Sequence, residues 1–167
     1  MKKVYQTIID QNKGNCMQAA IASLFDLELE EVPDFKQFGA EWHEPFLDFI
    51  NSQGYKFLGT MYNHNRMKLE EGPEYIVKGK NRLPTLKDEK YKGVNGFFYA
   101  AVFSPKYYER GDKSPTTHAV LIDNNCNIVH DPNPENQELE GYPETDFLGH
   151  NGILHIFLIE PKETEDE

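Results

Sequence analysis

The amino-acid sequence predicts an α+β domain in which an N-terminal buried helix packs on a twisted antiparallel sheet. Helical patterns come first along the chain and strand patterns follow, and this segregation is typical of the α+β class. A length of 167 residues suits one hydrophobic core. We therefore expect a single domain over residues 1–160, with an acidic disordered tail at 161–167.

The first predicted helix spans Asn15 to Phe25 and consists mostly of good helix formers. Asn15 is a residue type that caps the first amide groups of a helix, so the helix begins at Cys16. Because alanine and aliphatic residues leave it little polar face, we expect this helix to be buried nearly all round.

A second amphipathic pattern predicts a helix from about Glu41 to Ser52, after an acidic turn that ends at Pro33. Five segments have the apolar and β-branched character of strands: Tyr55–Tyr62, Gly96–Phe103, Thr117–Ile122, Cys126–His130 and Ile153–Ile159. Residues 63–95 are polar and rich in glycine and proline, which indicates a loop insertion outside the central sheet.

Acidic residues outnumber basic ones by 28 to 17, which gives a formal charge of −11. Binding to nucleic acid or to anionic membranes needs clustered Lys and Arg, so neither is expected as a partner. No apolar run is long enough to span a bilayer, and the first ten residues lack a signal-peptide core. These features predict a cytoplasmic protein.

The chain contains only two cysteines, Cys16 and Cys126, which is too few for a disulfide scaffold. Cys16 is the more interesting because a helix N-terminus stabilises a thiolate, the reactive form of cysteine. Taken alone, an ordinary core cysteine is the commoner explanation. A nucleophile also requires a base and a group that orients the base.

His118 and Asp131 are the candidates for this base and its orienting group. If Asn124 and Asn125 form a two-residue hairpin turn, His118 lies directly opposite Asp131 on one sheet face. His130, Ile128 and Cys126 then share the other face with Ala119 and Leu121, and structural roles follow for His130 and Cys126. A slip of one residue would make His130 a candidate again.

Acyl transfer also needs hydrogen-bond donors for the oxyanion, and Gln11 is the natural side chain for this role beside the Cys16 amide. Gln6 and Gln18 are less suitable by position. The residues 123–134 begin like a calcium loop but lack its glycine and its final glutamate. The six histidines show no zinc-binding spacing, so we expect no metal and no cofactor.

The order of these residues resembles the papain-like cysteine peptidase superfamily, and most closely its bacteriocin-processing peptidases and small phage-encoded relatives. The matching pieces are Gly14–Ala20, His118–Val120 and Val129–Pro132. The chain lacks the signature of papain itself. It also has Asn15 where the bacteriocin-processing relatives commonly have Asp, and its step from Gln11 to Cys16 is one residue shorter than usual.

The resemblance implies that Cys16 is the nucleophile, His118 the general base, Asp131 its orienter and Gln11 an oxyanion donor. It implies a peptidase or amidase of phage or bacterial origin that acts on a peptide or protein through an acyl-thioester. Papain-like folds also host transglutaminase-type acyl transferases and noncatalytic modules. Both alternatives stay open at this point, the second as an acidic protein that binds a host factor.

Overall fold

The computed structural model describes residues 1–8, 15–62, 86, 90–103, 117–134 and 153–163. Its two α-helices are α1 (Cys16–Leu24) and α2 (His43–Ser52), and 3₁₀ turns cover Leu29–Glu31 and Phe35–Glu41. The strands are β1 (Tyr55–Tyr62), β2 (Phe98–Phe103), β3 (Thr117–Ile122), β4 (Ile128–His130) and β5 (Ile153–Pro161). They form one sheet in the order β1-β5-β2-β3-β4, in which every neighbouring pair is antiparallel. The α+β prediction is confirmed.

Helix α1 covers the middle of the sheet, where it packs on β3 and β2, while α2 packs on β1. From Ala19 to Leu24, α1 is fully buried, whereas its first three residues are partly exposed. The near-complete burial expected for this helix therefore holds for its C-terminal two turns only. No helix in the described ranges is long and apolar enough to cross a bilayer.

Strand β5 continues further than its sequence pattern indicates. Pro161 pairs with Tyr55 of β1, and the Lys162 amide donates a hydrogen bond to the Gly54 carbonyl at 2.9 Å. The expected tail at 161–167 is thus anchored at its start, and residues 164–167 lie outside the described residues. Most of the predicted insertion at 63–95 also lies outside them. Leu86, however, is buried in the apolar cluster of the sheet.

A tight turn precedes β2, although the strand pattern suggested that pairing begins at Gly96. Asn95 and Gly96 both have positive φ, 54° and 85°, and Val94 and Phe97 exchange backbone hydrogen bonds of 3.0 Å. An Asn-Gly pair flanked in this way is the signature of a type I′ turn. Strand β2 therefore begins only at Phe98.

Replacing Gly93 by alanine is expected to lower the free energy of unfolding by about 2 kcal/mol or more. Its φ of +61° is already unfavourable for a side chain, and a Cβ atom would lie 2.5 Å from the Phe97 carbonyl oxygen. Chemical denaturation of the two proteins measures the difference.

The matched control for this prediction is Gly96→Ala. Gly96 has a φ of +85°, but an added Cβ atom would have nothing within 4 Å, so this variant reports backbone strain alone. We expect a cost of about 1 kcal/mol there. Equal effects of the two substitutions would show that the contact with Phe97 is easily relieved.

The β3–β4 hairpin differs from the predicted two-residue turn. Asp123 and Asn127 flank a three-residue loop closed by Asp123–Asn127 and Cys126–Asp123 backbone hydrogen bonds of 3.0 Å, and Cys126 takes the left-handed conformation at φ 63°. The Asp123 carboxylate accepts the amides of Asn125 and Asn127, both at 2.9 Å, and so stabilises this longer loop.

The predicted register was therefore wrong. Ile122 pairs with Ile128, and a further irregularity places Leu121 opposite His130. Each one-residue shift turns the following side chains to the other face, so two shifts restore the original alternation. This returns Asp131 to the face of His118 although the two residues are no longer directly opposite.

The first of these shifts, in the loop, makes the prediction for Ile128 and Cys126 wrong. Both pack in the apolar cluster that contains Val120 and Ile122, and not with Ala119 and Leu121, which belong to the cluster beneath α1. The reason is that the loop adds one residue before β4. His130 pairs with Leu121, on the face where the sequence predicted it.

Candidate active site

The N-terminus of α1 begins at Cys16, as predicted, but Asn15 does not cap it with its side chain. Instead, the Asn15 Oδ1 atom accepts the backbone amides of Thr7 and Ile8, both at 3.0 Å. The Asn15 Nδ2 group donates to Gln18 Oε1 at 3.3 Å. The expected capping role is therefore wrong, because the N-terminal segment offers Asn15 two unpaired amides at once.

This arrangement affects the chemistry because the first amide groups of a helix lack partners within the helix. The first helical hydrogen bond runs from the Ala19 amide to the Asn15 carbonyl at 3.0 Å. The amides of Cys16, Met17 and Gln18 precede it, and no side chain of the described residues caps them. They form a positively polarised end at the cysteine.

His130 holds the N-terminal segment in place. Its Nε2 atom donates to the Val4 carbonyl at 2.7 Å, and its ring meets the Tyr5 ring edge-on at 5.1 Å. The side chain is fully buried. These contacts agree with the structural role that the sequence predicted for His130.

The structure brings Cys16, His118 and Asp131 together. The His118 Nε2 atom lies 2.6 Å from Asp131 Oδ1, and the His118 side chain is also hydrogen-bonded with the Cys16 thiol. Since Asp131 occupies Nε2, the other ring nitrogen, Nδ1, is the one that meets the thiol. The predicted contact between His118 and Asp131 is thus confirmed, whereas the catalytic roles stay predictions.

Burial makes this arrangement rigid. Asp131 is 0% exposed and His118 is 8% exposed. The same Asp131 oxygen that meets His118 accepts the Asn133 amide at 2.9 Å, which fixes the orientation of the carboxylate. Cys16 is only partly buried as a residue, so it is the most exposed of the three.

The electrostatics favour a thiolate beside an imidazolium. Burial by itself raises the pKa of the Cys16 thiol, but its hydrogen bond with His118, the His118 charge and the Ala119 backbone amide together lower that pKa below 9.0. Burial lowers the pKa of His118, yet hydrogen bonds with Asp131 and Cys16 raise it to about 10. Each group therefore stabilises the charged form of the other.

Three further groups affect this site, and no sequence pattern marked them as site residues. The Ala119 amide and the Lys36 charge both lower the Cys16 pKa, and Tyr99 packs nearby with its ring stacked on Phe157 at 4.7 Å. Burial, and then the Cys16 charge, raise the Tyr99 phenol pKa, so the phenol stays neutral. Only the folded arrangement shows that these groups influence the cysteine.

Gln11, the predicted oxyanion donor, lies outside the described residues. Gln18 is excluded from that role because its Nε2 group donates to the carbonyls of Leu29 and Val32 at 3.1 and 2.9 Å. Across the described part of the chain, no three His, Cys, Asp or Glu side chains are grouped so that they could hold a metal ion.

Replacing Asp131 by asparagine is expected to lower the His118 pKa from about 10. Asparagine retains an oxygen for the imidazole but removes the negative charge that stabilises the imidazolium. His118 then loses its proton at a lower pH, and the range in which the imidazolium persists becomes narrower. An NMR titration of the histidine rings measures this shift.

The wild-type protein, titrated in parallel, is the reference for this measurement. An unchanged His118 titration in Asp131→Asn would show that the 2.6 Å contact contributes little to the imidazolium.

Comparison of this chain with protein-family models, with curated proteins and with solved structures found no match. The class of site is therefore defined by its geometry: a cysteine at a helix N-terminus, a histidine on a strand and a buried aspartate. The papain-like relationship remains a proposal.

Proposed function

We propose that this chain is a papain-like cysteine hydrolase, a peptidase or amidase, that acts through an acyl-thioester on Cys16. The observation that carries the proposal is the continuous set of hydrogen bonds from Cys16 through His118 to Asp131. Nucleophile, base and orienting group occur in the order that thiol catalysis requires. If His118 and Asp131 only stabilised the hairpin, a cysteine at a helix N-terminus would not be needed beside them.

In the acylation step, the Cys16 thiolate attacks the substrate carbonyl carbon and its electron pair forms the carbon–sulfur bond. The His118 imidazolium gives its Nδ1 proton to the leaving nitrogen, the carbon–nitrogen bond breaks and an amine departs. In the second step, neutral His118 takes a proton from water. The resulting hydroxide attacks the thioester, and the thiolate leaves.

The tetrahedral intermediate of each step carries a negative oxygen. The Cys16 amide at the start of α1 is the backbone donor available to that oxygen, and the helix dipole adds to its effect. By the resemblance to papain-like enzymes, Gln11 supplies the second donor. Each donor of this kind typically contributes about 10²- to 10³-fold to kcat.

The test is a screen of peptide and isopeptide libraries with the wild-type protein, followed by intact-protein mass spectrometry of rapidly quenched reactions. We expect cleaved products and a transient acyl adduct whose mass maps to Cys16. Each library is run with and without an added primary amine, because an acyl transferase requires an acceptor.

The outcomes separate the candidate functions. Cleavage without the amine supports the hydrolase. An acyl product that forms only with the amine would show that the protein is an acyl transferase instead. If no library member is cleaved and no adduct forms, while a protein partner binds stoichiometrically, the hydrolase is wrong and the noncatalytic module is correct.

A further inference from the structure

A cleft of about 350 Å³ is lined, within the described residues, by Met17, Phe35, Lys36, Gly39 and Trp42. Met17 directly follows the cysteine in α1. The Lys36 charge also lowers the Cys16 pKa, after the larger effects of His118 and the Ala119 amide. A group bound in this cleft would therefore contact the residue that follows the nucleophile in α1.

The apolar walls of the cleft are held by the core. Phe35 and Trp42 each pack on Phe46, with ring centroids 5.6 Å apart in both pairs. Trp42 is also stacked on Phe157 at 6.4 Å, with 11° between the ring planes. These contacts fix both rings before any ligand arrives, which reduces the entropy lost on binding.

Among the described residues that line this cleft, Lys36 is the only one with a charged side chain. It is exposed, and within the described residues its ammonium group forms no ion pair with a carboxylate. The formal charge of the whole chain is −11, so a cation in the wall of this cleft is a local exception. It would attract an anionic group that the rest of the surface repels.

A second cleft nearby has the opposite character. It has a volume of about 650 Å³ and is lined by Phe38, Glu41, His43, Glu44, Pro45 and Asp48. Its three carboxylates disfavour any anionic ligand. The two clefts therefore differ in charge. An acidic group of a ligand binds more favourably in the cleft that contains Lys36.

We propose that the cleft that contains Lys36 binds a glutamate side chain on the acyl side of the scissile bond, so that the enzyme prefers acidic peptides. This inference rests on the hydrolase function proposed above. The methylene groups of the glutamate pack against Met17 and Trp42, and its carboxylate pairs with Lys36 Nζ. A glutamate suits this cleft because its stem is apolar and its end is anionic.

The test uses three peptidyl chloromethyl ketones that differ only in the residue bearing the ketone, which is Glu, Gln or Lys. In each reaction the thiolate displaces chloride and forms a thioether. We measure the second-order rate of Cys16 labelling by mass spectrometry for the wild-type protein, Lys36→Met, Lys36→Glu and Lys92→Met. Lys92 is an exposed lysine that does not line the cleft, so Lys92→Met is the matched control.

For the wild-type protein and Lys92→Met, we expect the Glu probe to react about fivefold faster than the Gln probe, the upper range for an exposed ion pair. The ratio should fall to about one in Lys36→Met, and Lys36→Glu should favour the Lys probe. Because Lys36 also affects the thiol pKa, only ratios between probes on the same protein are compared.

A ratio near one in the wild-type protein, with Cys16 still labelled, would overturn the glutamate preference and leave the hydrolase proposal intact. An equal loss of the ratio in Lys92→Met would also overturn it, because the effect would then be one of overall charge. If none of the probes labels Cys16, both proposals are wrong.

Discussion

Replacing Cys16 by alanine is expected to abolish the covalent adduct and to reduce cleavage to the background rate. The substitution removes the sulfur that forms the thioester, and no other described cysteine or serine contacts His118. The change is small and lies at the partly exposed start of α1, so the fold should persist. Intact-protein mass spectrometry and product analysis on the best library peptide measure the two effects.

The matched control is Cys126→Ala, which removes the other thiol. Cys126 is buried at 5% exposure in the hairpin loop before β4, among apolar side chains. We expect this variant to retain both the adduct and cleavage, with some loss of stability from the missing packing. Cleavage that survives in Cys16→Ala, or an adduct that moves to Cys126, would contradict the proposed mechanism.

The His118→Gln variant is expected to lose about 10²- to 10⁴-fold in kcat, the usual contribution of general acid–base catalysis. Glutamine can still donate a hydrogen bond to the buried Asp131, which protects the fold, but it neither carries a positive charge nor exchanges a proton. The Cys16 pKa should rise as well, because the imidazolium hydrogen bond and charge that lower it are gone.

Two measurements test this expectation. Cleavage of the best library peptide gives kcat, and the pH dependence of iodoacetamide labelling gives the Cys16 pKa. In the wild-type protein the labelling midpoint should lie below 9.0, since the ion pair lowers the pKa from that value. In His118→Gln the midpoint should move upward, because burial then acts on the thiol without the compensating charge.

The control is His130→Gln, which keeps a donor for the Val4 carbonyl. We expect this variant to lose some stability and to keep the labelling midpoint of the wild-type protein. If His130→Gln shifted the midpoint and His118→Gln did not, His130 would be the base in place of His118. The two variants therefore decide directly between the histidines that the sequence left in competition.

The element types were predictable because they depend on short-range patterns. Strand β3 has the bounds that its apolar alternation predicts, and the helix that begins at Cys16 follows from the composition of its own segment. Element ends were less predictable, since Asn95 and Gly96 form a turn where a strand was expected. Strand β5 extends to Pro161 because β1 offers it a partner.

The contact between His118 and Asp131 was predicted correctly although the predicted register of the hairpin was wrong. Two register shifts in the hairpin cancel, so the alternation that the sequence predicted is restored before Asp131 is reached. One shift alone would have turned Asp131 to the other face. The Asp123 side chain sets the first shift by hydrogen-bonding within the loop.

The sequence by itself determined the α+β class, the cysteine at a helix start and a histidine and an aspartate on adjoining segments. These features depend on local composition and on the alternation of side chains along a strand. Only the tertiary structure decided that Cys16 meets His118, that Asn15 binds the N-terminal segment and that the Lys36 charge acts on the thiol. The physical reason is that these contacts join distant parts of the chain, and their geometry depends on how α1 and the sheet pack together.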